Sequence, residues 1–379
     1  MSGAMTPEHA VWETRLLAVV TATLVVFGIA AVYGASSLLA VQRGEPGAAF
    51  ALRQATGVVL GGILFLIAAR VDYHRWERWA WPLIGLSALL LLVPFLPVAR
   101  SLAPEINGAR RWIDLGFFNF QPSEVTKLAV VAWTAMLAAK KGDLVREFKR
   151  GVLPFMAIVV PLSALILLEP NLSTAVFVAL LAGVILFTAG ARIGHFLLLG
   201  LAAVPIAWHE IVAVQYRLAR VITFLSPGED SQQTSWQITQ SVIGVGAGRV
   251  FGVGFGEGQQ KLGYLPYAYS DFLFSTFAEE WGFVGVCLVV LLYATLIGLG
   301  FRIARTAGDR FGMLLATGLT ALIGISAVVH MAVSLGLVPT TGLPLPFLSY
   351  GRSNLVISMV AAGVLISVGR GRARVRLNT

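Results

Sequence analysis

The sequence predicts an all-α protein that crosses a membrane about ten times, with one large outer loop between the seventh and eighth crossings. Three observations predict it. Of 379 residues, 57% are hydrophobic and 12% charged, about half the charged share of an ordinary soluble chain, and mean hydropathy is +0.81. The apolar residues gather into ten long runs, and one crossing needs about 20 of them. Lys and Arg divide 17 to 10 between the two sides that alternating crossings define, the bias expected of a membrane-spanning chain. A disordered chain, a collagen-like fibre and a typical cytosolic enzyme are excluded.

Helices are expected over 16–41, 50–70, 79–98, 123–139, 151–168, 171–190, 194–211, 271–301, 312–338 and 350–369, in one membrane domain spanning 1–379. The first run is too long for a signal-peptide core, and Met1 to Arg15 lacks a small-residue cleavage pattern, so it reads as an uncleaved span. The fourth helix opens on Pro122, suited to a first turn, with Ser123 as a capping residue. Glu169-Pro170-Asn171 makes a tight turn between the fifth and sixth, too short for the glycosylation pattern Asn171-Leu-Ser173 to be used. The single cysteine, Cys287, excludes an intrachain disulfide and reads as a small buried side chain. The five histidines form no H-E-x-x-H, so a zinc protease is unsupported; His330, mid-span, reads as a hydrogen-bonded structural residue.

Orientation follows from the basic residues. With both termini on one side, that side holds 17 of the 28 Lys and Arg but 7 of the 19 acids. The excess puts both termini in the cytoplasm. It also accounts for the net charge of +9 without any nucleic-acid partner. Two outer loops are then long enough for chemistry, about 100–122 and 212–270. The second contains Trp236 to Ile243, a loosely amphipathic helical stretch, and a glycine array from Gly244 to Gly258. Its spacing fits neither G-x-G-x-x-G nor a P-loop. The array reads either as a tightly folded re-entrant loop or as a backbone lining for an anionic head group.

Ionisable residues at membrane depth are functional candidates by default. Glu124 and Lys127 lie three apart on one helix face, either a buried ion pair or a cationic centre for phosphate. Arg110, Arg111 and Trp112 are either an interface anchor or a clamp for a diphosphate. Glu169 sits at an outer helix end, beside a base. Asp271 opens the eighth helix as either a cap or, in a half-dry setting behind Tyr264 to Tyr269, a general base. Glu279 and Glu280 are deep enough to need protein or water in front of them. The stretch from Gly336 to Asn354, with three prolines, Thr340, Thr341 and Ser349, reads as a rigid, polar-lined outer segment facing a substrate.

Taken together these segments resemble the SEDS family (shape, elongation, division and sporulation), nearest to its rod-shape branch. The matching stretches are Asn107 to Ile113, Gln121 to Glu124, Glu169 to Ala175, Trp236 to Ser241, Gly252 to Tyr269, Asp271 to Phe274, Ala278 to Phe283 and Val338 to Gly351. Eight modest motifs in order are specific, and they cover nearly the whole chain. The resemblance implies a peptidoglycan glycosyltransferase of the bacterial cytoplasmic membrane that acts at the outer face. Its substrates would be lipid II and a growing glycan on polyprenyl diphosphate. A class B penicillin-binding protein, the elongation machinery and membrane lipid would be its partners.

The family's essential outer-loop aspartate maps to Asp271, its motif tryptophan to Trp112, and its fourth-helix pair to Glu124 and Lys127. Arg110, Arg111 and Lys127 are the candidate cations for a leaving diphosphate, with Arg217 and Arg220 weaker ones. Glu169, Lys261 and Ser349 complete the candidate binding set. A divalent cation, Mg or Mn, is the one candidate cofactor, though no cage of carboxylates is visible for it. Pro339-Thr-Thr-Gly342 has the elongation form. The chain departs from the family at Asn171 and Ser173, where Asp and Gly are usual, and at Arg352, where a second glycine is usual. Two other readings use the same features: a lipid II flippase, although no inverted repeat is visible, and a non-catalytic scaffold for the penicillin-binding protein.

Overall fold

In hydrocarbon a backbone satisfies its own hydrogen bonds only as a helix or a closed barrel, and the candidate spans among the described residues take the first solution. The computed structural model describes residues 7–96, 102–105, 109–116, 118–225 and 233–377. Twelve helices are found among them: α1 (Pro7–Gln42), α2 (Ala49–Arg70), α3 (His74–Leu92), α4 (Pro122–Lys141), α5 (Leu153–Leu168), α6 (Leu172–Thr188), α7 (Ile193–Val212), α8 (Gln215–Leu225), α9 (Gln233–Ala247), α10 (Leu273–Arg305), α11 (Arg310–Ser334) and α12 (Arg352–Leu377). A two-stranded antiparallel hairpin, β1 (Ile113–Asp114) and β2 (Asn119–Phe120), pairs Ile113 with Phe120 and Asp114 with Asn119.

Ten of the helices lie over the ten predicted runs. Eight of those ten are long and apolar enough to cross a membrane. The remaining two are α6, apolar but 17 residues long, and α4, which carries Glu124, Lys127 and several threonines on buried faces. α4, α11 and α12 form the interior, whereas α7 buries no residue. The outward surface is apolar: Val26, Leu89, Leu197, Leu201 and Trp208 are all exposed. A water-soluble chain does not expose so many large apolar residues in continuous belts. Buried and exposed residues thus sort by lipid contact rather than by polarity.

Glu13 pairs with Arg302, and Thr14 packs against Gly369, so α1 starts and α12 finishes at one end of the bundle. The hairpin, the 249–271 segment and the 339–351 segment gather at the other end, the loop-bearing end.

Four expectations change. The large loop 212–270 holds two helices, α8 and α9, rather than one short helical stretch; residues 226–232 of it, and Asn107-Gly108 of the first motif, lie outside the described residues. Helix α11 stops at Ser334 because Gly336 takes φ +69°. Cys287 is exposed on α10, on a face with Phe283, Val284 and Leu291, so it looks outward and not into the core. Finally, α10 is broken: Gly282 has φ 64° and ψ −168° inside it. The freed backbone is taken up by a strap from the glycine array. Phe283 and Val284 N–H donate to the carbonyls of Arg249 and Val250 (2.9 and 3.1 Å), and Val253 and Gly254 N–H donate to those of Glu279 and Glu280 (3.0 and 3.2 Å). A Cβ on Gly282 would stand 2.2 Å from the Gly252 nitrogen. Glycine is required there for its left-handed dihedral and for the close approach. The array is therefore a re-entrant fold packed on a broken helix.

Candidate active site

Asp271 lies at the loop-bearing end, half-buried, two residues before α10 begins. It does not cap that helix: the N-cap is Phe272, with no side-chain bond. Burial raises the Asp271 carboxyl above the usual carboxylate range; Arg220, a hydrogen bond from Ser270, and Arg111 pull against it. Two guanidinium groups from distant segments thus share one acid's surroundings. Arg220, on α8, donates to the Thr340 carbonyl at 3.1 Å, which fixes it over the 339–351 segment.

That segment is clasped to Asp271. The Ser349 hydroxyl, 3% exposed, donates to the Ser270 carbonyl (2.7 Å) and accepts from Leu345 N–H (3.0 Å). Tyr350 N–H donates to the Tyr269 carbonyl at 3.0 Å. Tyr269, Tyr350 and Phe50 form a three-ring cluster with centroids 5.0–5.5 Å apart. Gln54 of α2 closes the clasp, donating to the Ser349 carbonyl (3.0 Å) and accepting from Gly351 N–H (3.2 Å). His330 Nδ1 donates to the Leu343 carbonyl, 2.9 Å away, the structural role expected of it.

Arg111 bridges to the α5–α6 turn. Its Nε and Nη2 donate to the carbonyls of Glu169 and Pro170 at 2.8 and 2.7 Å. Asn171 then caps α6, its Oδ1 accepting from Thr174 N–H at 3.3 Å. Asn caps about as well as Asp, so the departure from the family pattern at 171 keeps that function. Arg110 faces Glu105 at 3.6 Å and, with Glu169, lines a cavity of about 260 Å³. Trp112 is half-buried between Arg111 and β1.

Deeper in the bundle, Lys127 and Glu124 pair at 2.7 Å with side chains 1% and 3% exposed. Asn354 Nδ2 donates to the second Glu124 oxygen at 3.1 Å, and Lys127 Nζ stands 5.5 Å from the Phe177 ring. An ion pair this dry persists only with such added partners. Ser123 makes no capping bond; Gln121 is the N-cap of α4. Lys261 pairs with Glu280 at 2.9 Å and bonds the Gly256 carbonyl, while Glu279 accepts from Gln259 and Gln260 N–H at 2.8 and 3.2 Å. Those three side chains hold the re-entrant loop on α10. Arg217 is engaged by Glu210 at 2.7 Å.

The structure therefore brings Asp271, Arg111, Arg220 and Ser349 into one neighbourhood, with Glu169 and Arg110 on the adjoining cavity; Lys261 serves another contact. Asn354 and Gln54 were not anticipated. The signal for Asn354 was its place at a helix start after a proline-rich segment, and for Gln54 a lone amide in an apolar span. Arg352 reaches over the Phe118 ring (4.9 Å) and packs on Gly57, so the long cation fits without disturbing Ser353, which bonds Asn119 and Gln121.

The fold and the site define a multi-pass membrane protein with an acid held among arginines at one end of its bundle. A family model described as "Cell cycle protein", covering FtsW, RodA and SpoVE, matches residues 14–374, and the chain belongs to this family, SEDS. A protein named "Probable peptidoglycan glycosyltransferase FtsW" from Trichlorobacter lovleyi is 42% identical, covering 95% of this chain and 93% of its own. Stage V sporulation protein E of Bacillus subtilis is 37% identical over 94% and 96%. Among solved structures, a chain of a peptidoglycan synthase complex that coordinates polymerization and crosslinking superposes with a TM-score of 0.75 at 29% identity, covering 94% and 97%. The rod shape determining protein RodA of Thermus thermophilus does so with 0.68 at 29%, covering 94% and 96%.

Proposed function

We propose that this protein is a peptidoglycan glycosyltransferase that polymerises lipid II at the outer face of the bacterial inner membrane. Family membership and the names of its relatives support the activity. The observation that carries the mechanism is Asp271, a half-buried acid in the field of Arg111 and Arg220. A sugar hydroxyl is a poor nucleophile at neutral pH and needs a positioned base. In this reading Asp271 takes the proton from the acceptor hydroxyl of lipid II as its oxygen attacks the anomeric carbon of the donor chain. The bond from that carbon to the diphosphate breaks, and the polyprenyl diphosphate leaves with the electron pair. Fixed cations lower the cost of the charge that develops; Arg110, on the cavity, and Arg111, in the field of Asp271, are the proposed ones. Among the described residues no three His, Cys, Asp or Glu side chains gather as a metal cage. Mg²⁺ or Mn²⁺ would then enter as the diphosphate's counter-ion, which needs only one or two carboxylates of the protein.

A class B penicillin-binding protein is the proposed partner, supported by the synthase complex among the structural neighbours. Pro339-Thr-Thr-Gly342 supports a role in elongation. The identity of 42% to a protein named FtsW favours division instead, and depletion separates the two: rounded cells for elongation, filaments for division. The activity is tested by glycan polymerisation from lipid II by the purified protein, with and without the partner. A ladder of products that disappears in Asp271→Ala supports the reading. An unchanged ladder in that variant removes Asp271 as the base. No ladder, with lipid II translocated in vesicles, makes the protein a flippase.

A further inference from the structure

Glu169 ends α5 at the loop-bearing end, with its side chain 1% exposed. Both of its carboxyl oxygens are buried, and among the described residues neither meets a hydrogen-bond partner. Buried polar atoms left in this state are rare and call for an occupant or a role. Arg111, whose charge acts on the Glu169 carboxyl, directs two donors at the backbone carbonyls of Glu169 and Pro170. The cavity that Glu169 lines has a polar side, Glu105 and Arg110, and an apolar side, Pro94, Phe95 and Leu168. Phe95 and Leu168 are exposed beyond the cavity, on the bundle's outward surface. A ligand suited to this space is an amphiphile with its anionic head by Arg110 and its hydrocarbon tail leading out past Leu168.

We propose that this cavity holds the diphosphate of the polyprenyl-linked substrate, and that Glu169 binds it as a neutral hydrogen-bond donor. The inference rests on the glycosyltransferase reading for its choice of ligand. An ionised carboxylate only accepts hydrogen bonds and would repel a diphosphate; a protonated one has an O–H to give. Burial pushes the Glu169 carboxyl up to about 8, with Arg111 lowering it, so the neutral form prevails at neutral pH. The charged groups facing it are Glu105, Arg110 and Arg111; α3 and the turn after it contribute Pro94 and Phe95, which carry no charge. Arg110 supplies the planar fork suited to phosphate oxygens. The proton stays on Glu169 throughout, so the site binds and releases the head group without entering the proton balance at Asp271.

The test is binding of undecaprenyl diphosphate to the full-length protein in phosphatidylcholine nanodiscs from about pH 6 to about pH 9.5. Undecaprenol and phosphatidylglycerol are run as the two competing sources of tail and phosphate. The wild type is expected to prefer the diphosphate, with affinity falling roughly tenfold per pH unit above about pH 8. Glu169→Gln, whose amide still donates, is expected to bind within about threefold of wild type at neutral pH and to lose the alkaline fall. Glu169→Ala is expected to bind about tenfold more weakly at neutral pH. An alkaline fall that persists in Glu169→Gln overturns the proposal, as does equal binding of phosphatidylglycerol. Should Glu169→Gln fail to fold, Arg110→Gln replaces it; unchanged diphosphate affinity there moves the site elsewhere. Polymerisation by the wild type, measured in parallel, separates the two readings. A ladder without the alkaline fall sinks the cavity proposal alone. Diphosphate binding with the fall but no ladder sinks the glycosyltransferase reading and leaves the site.

Discussion

Asp271 and the Glu124–Lys127 pair show how much of a residue's role is set by what surrounds it. Asp271 at the head of an apolar helix has the sequence signature of a cap, yet Phe272 holds that position. Its carboxyl is instead raised by burial against the pull of Arg220 and Arg111. A base works only when deprotonated, so the acid limb of the pH–rate profile should lie above the ordinary aspartate range of about 4, with the rate falling as pH drops through it. Asp271→Asn should lower turnover by about 10²–10⁴-fold while leaving the thermal unfolding midpoint and partner binding in place. For Lys127, removal of one member of a dry pair strands the other. Lys127→Met should cost about 3–5 kcal/mol, and adding Glu124→Gln should recover most of it. Thermal unfolding of the two single variants and the double variant in one detergent reads this, and an additive double variant would show the pair uncoupled.

At the scale of elements, the break in α10 ties the glycine array to the acids. Glu279, Glu280 and Lys261 hold the strap, and Gly282 with Gly252 gives it room. Gly282→Ala adds a Cβ at a positive φ and against backbone, and should cost about 2–4 kcal/mol. Gly298→Ala on the same helix meets nothing within 4 Å and should be neutral or stabilising by about 1 kcal/mol. Equal effects at the two positions would remove the strap as the cause. Helical periodicity located α10 but not its break, because a single glycine in an apolar run reads the same whether the helix continues or turns. The prolines and hydroxyls of Gly336 to Asn354 signalled a rigid segment facing a substrate; the rigidity is there, but the Ser349 hydroxyl is buried in the clasp to Ser270.

For the whole molecule, the charge count predicts that both termini share the cytoplasmic side and that 212–270 faces outward. Tags at the two ends should be protease-accessible only in inverted vesicles, and a tag in that loop only in intact spheroplasts; the reverse pattern would overturn the assignment. Composition and hydrophobic runs alone determined that the chain lies in a membrane and roughly where it crosses, and the local motifs, taken in order, carried the resemblance to its family. They could do so because the bilayer acts on every residue in the same way, and its demands are written locally along the chain. The meeting of Asp271 with Arg111 and Arg220, the third partner Asn354 on Glu124, and the Gln54 lock on Ser349 were decided by tertiary structure. Asn354 and Glu124 lie 230 residues apart, and Gln54 and Ser349 lie 295 apart. Directional bonds between groups so distant in sequence depend on how ten helices pack, which no local pattern encodes.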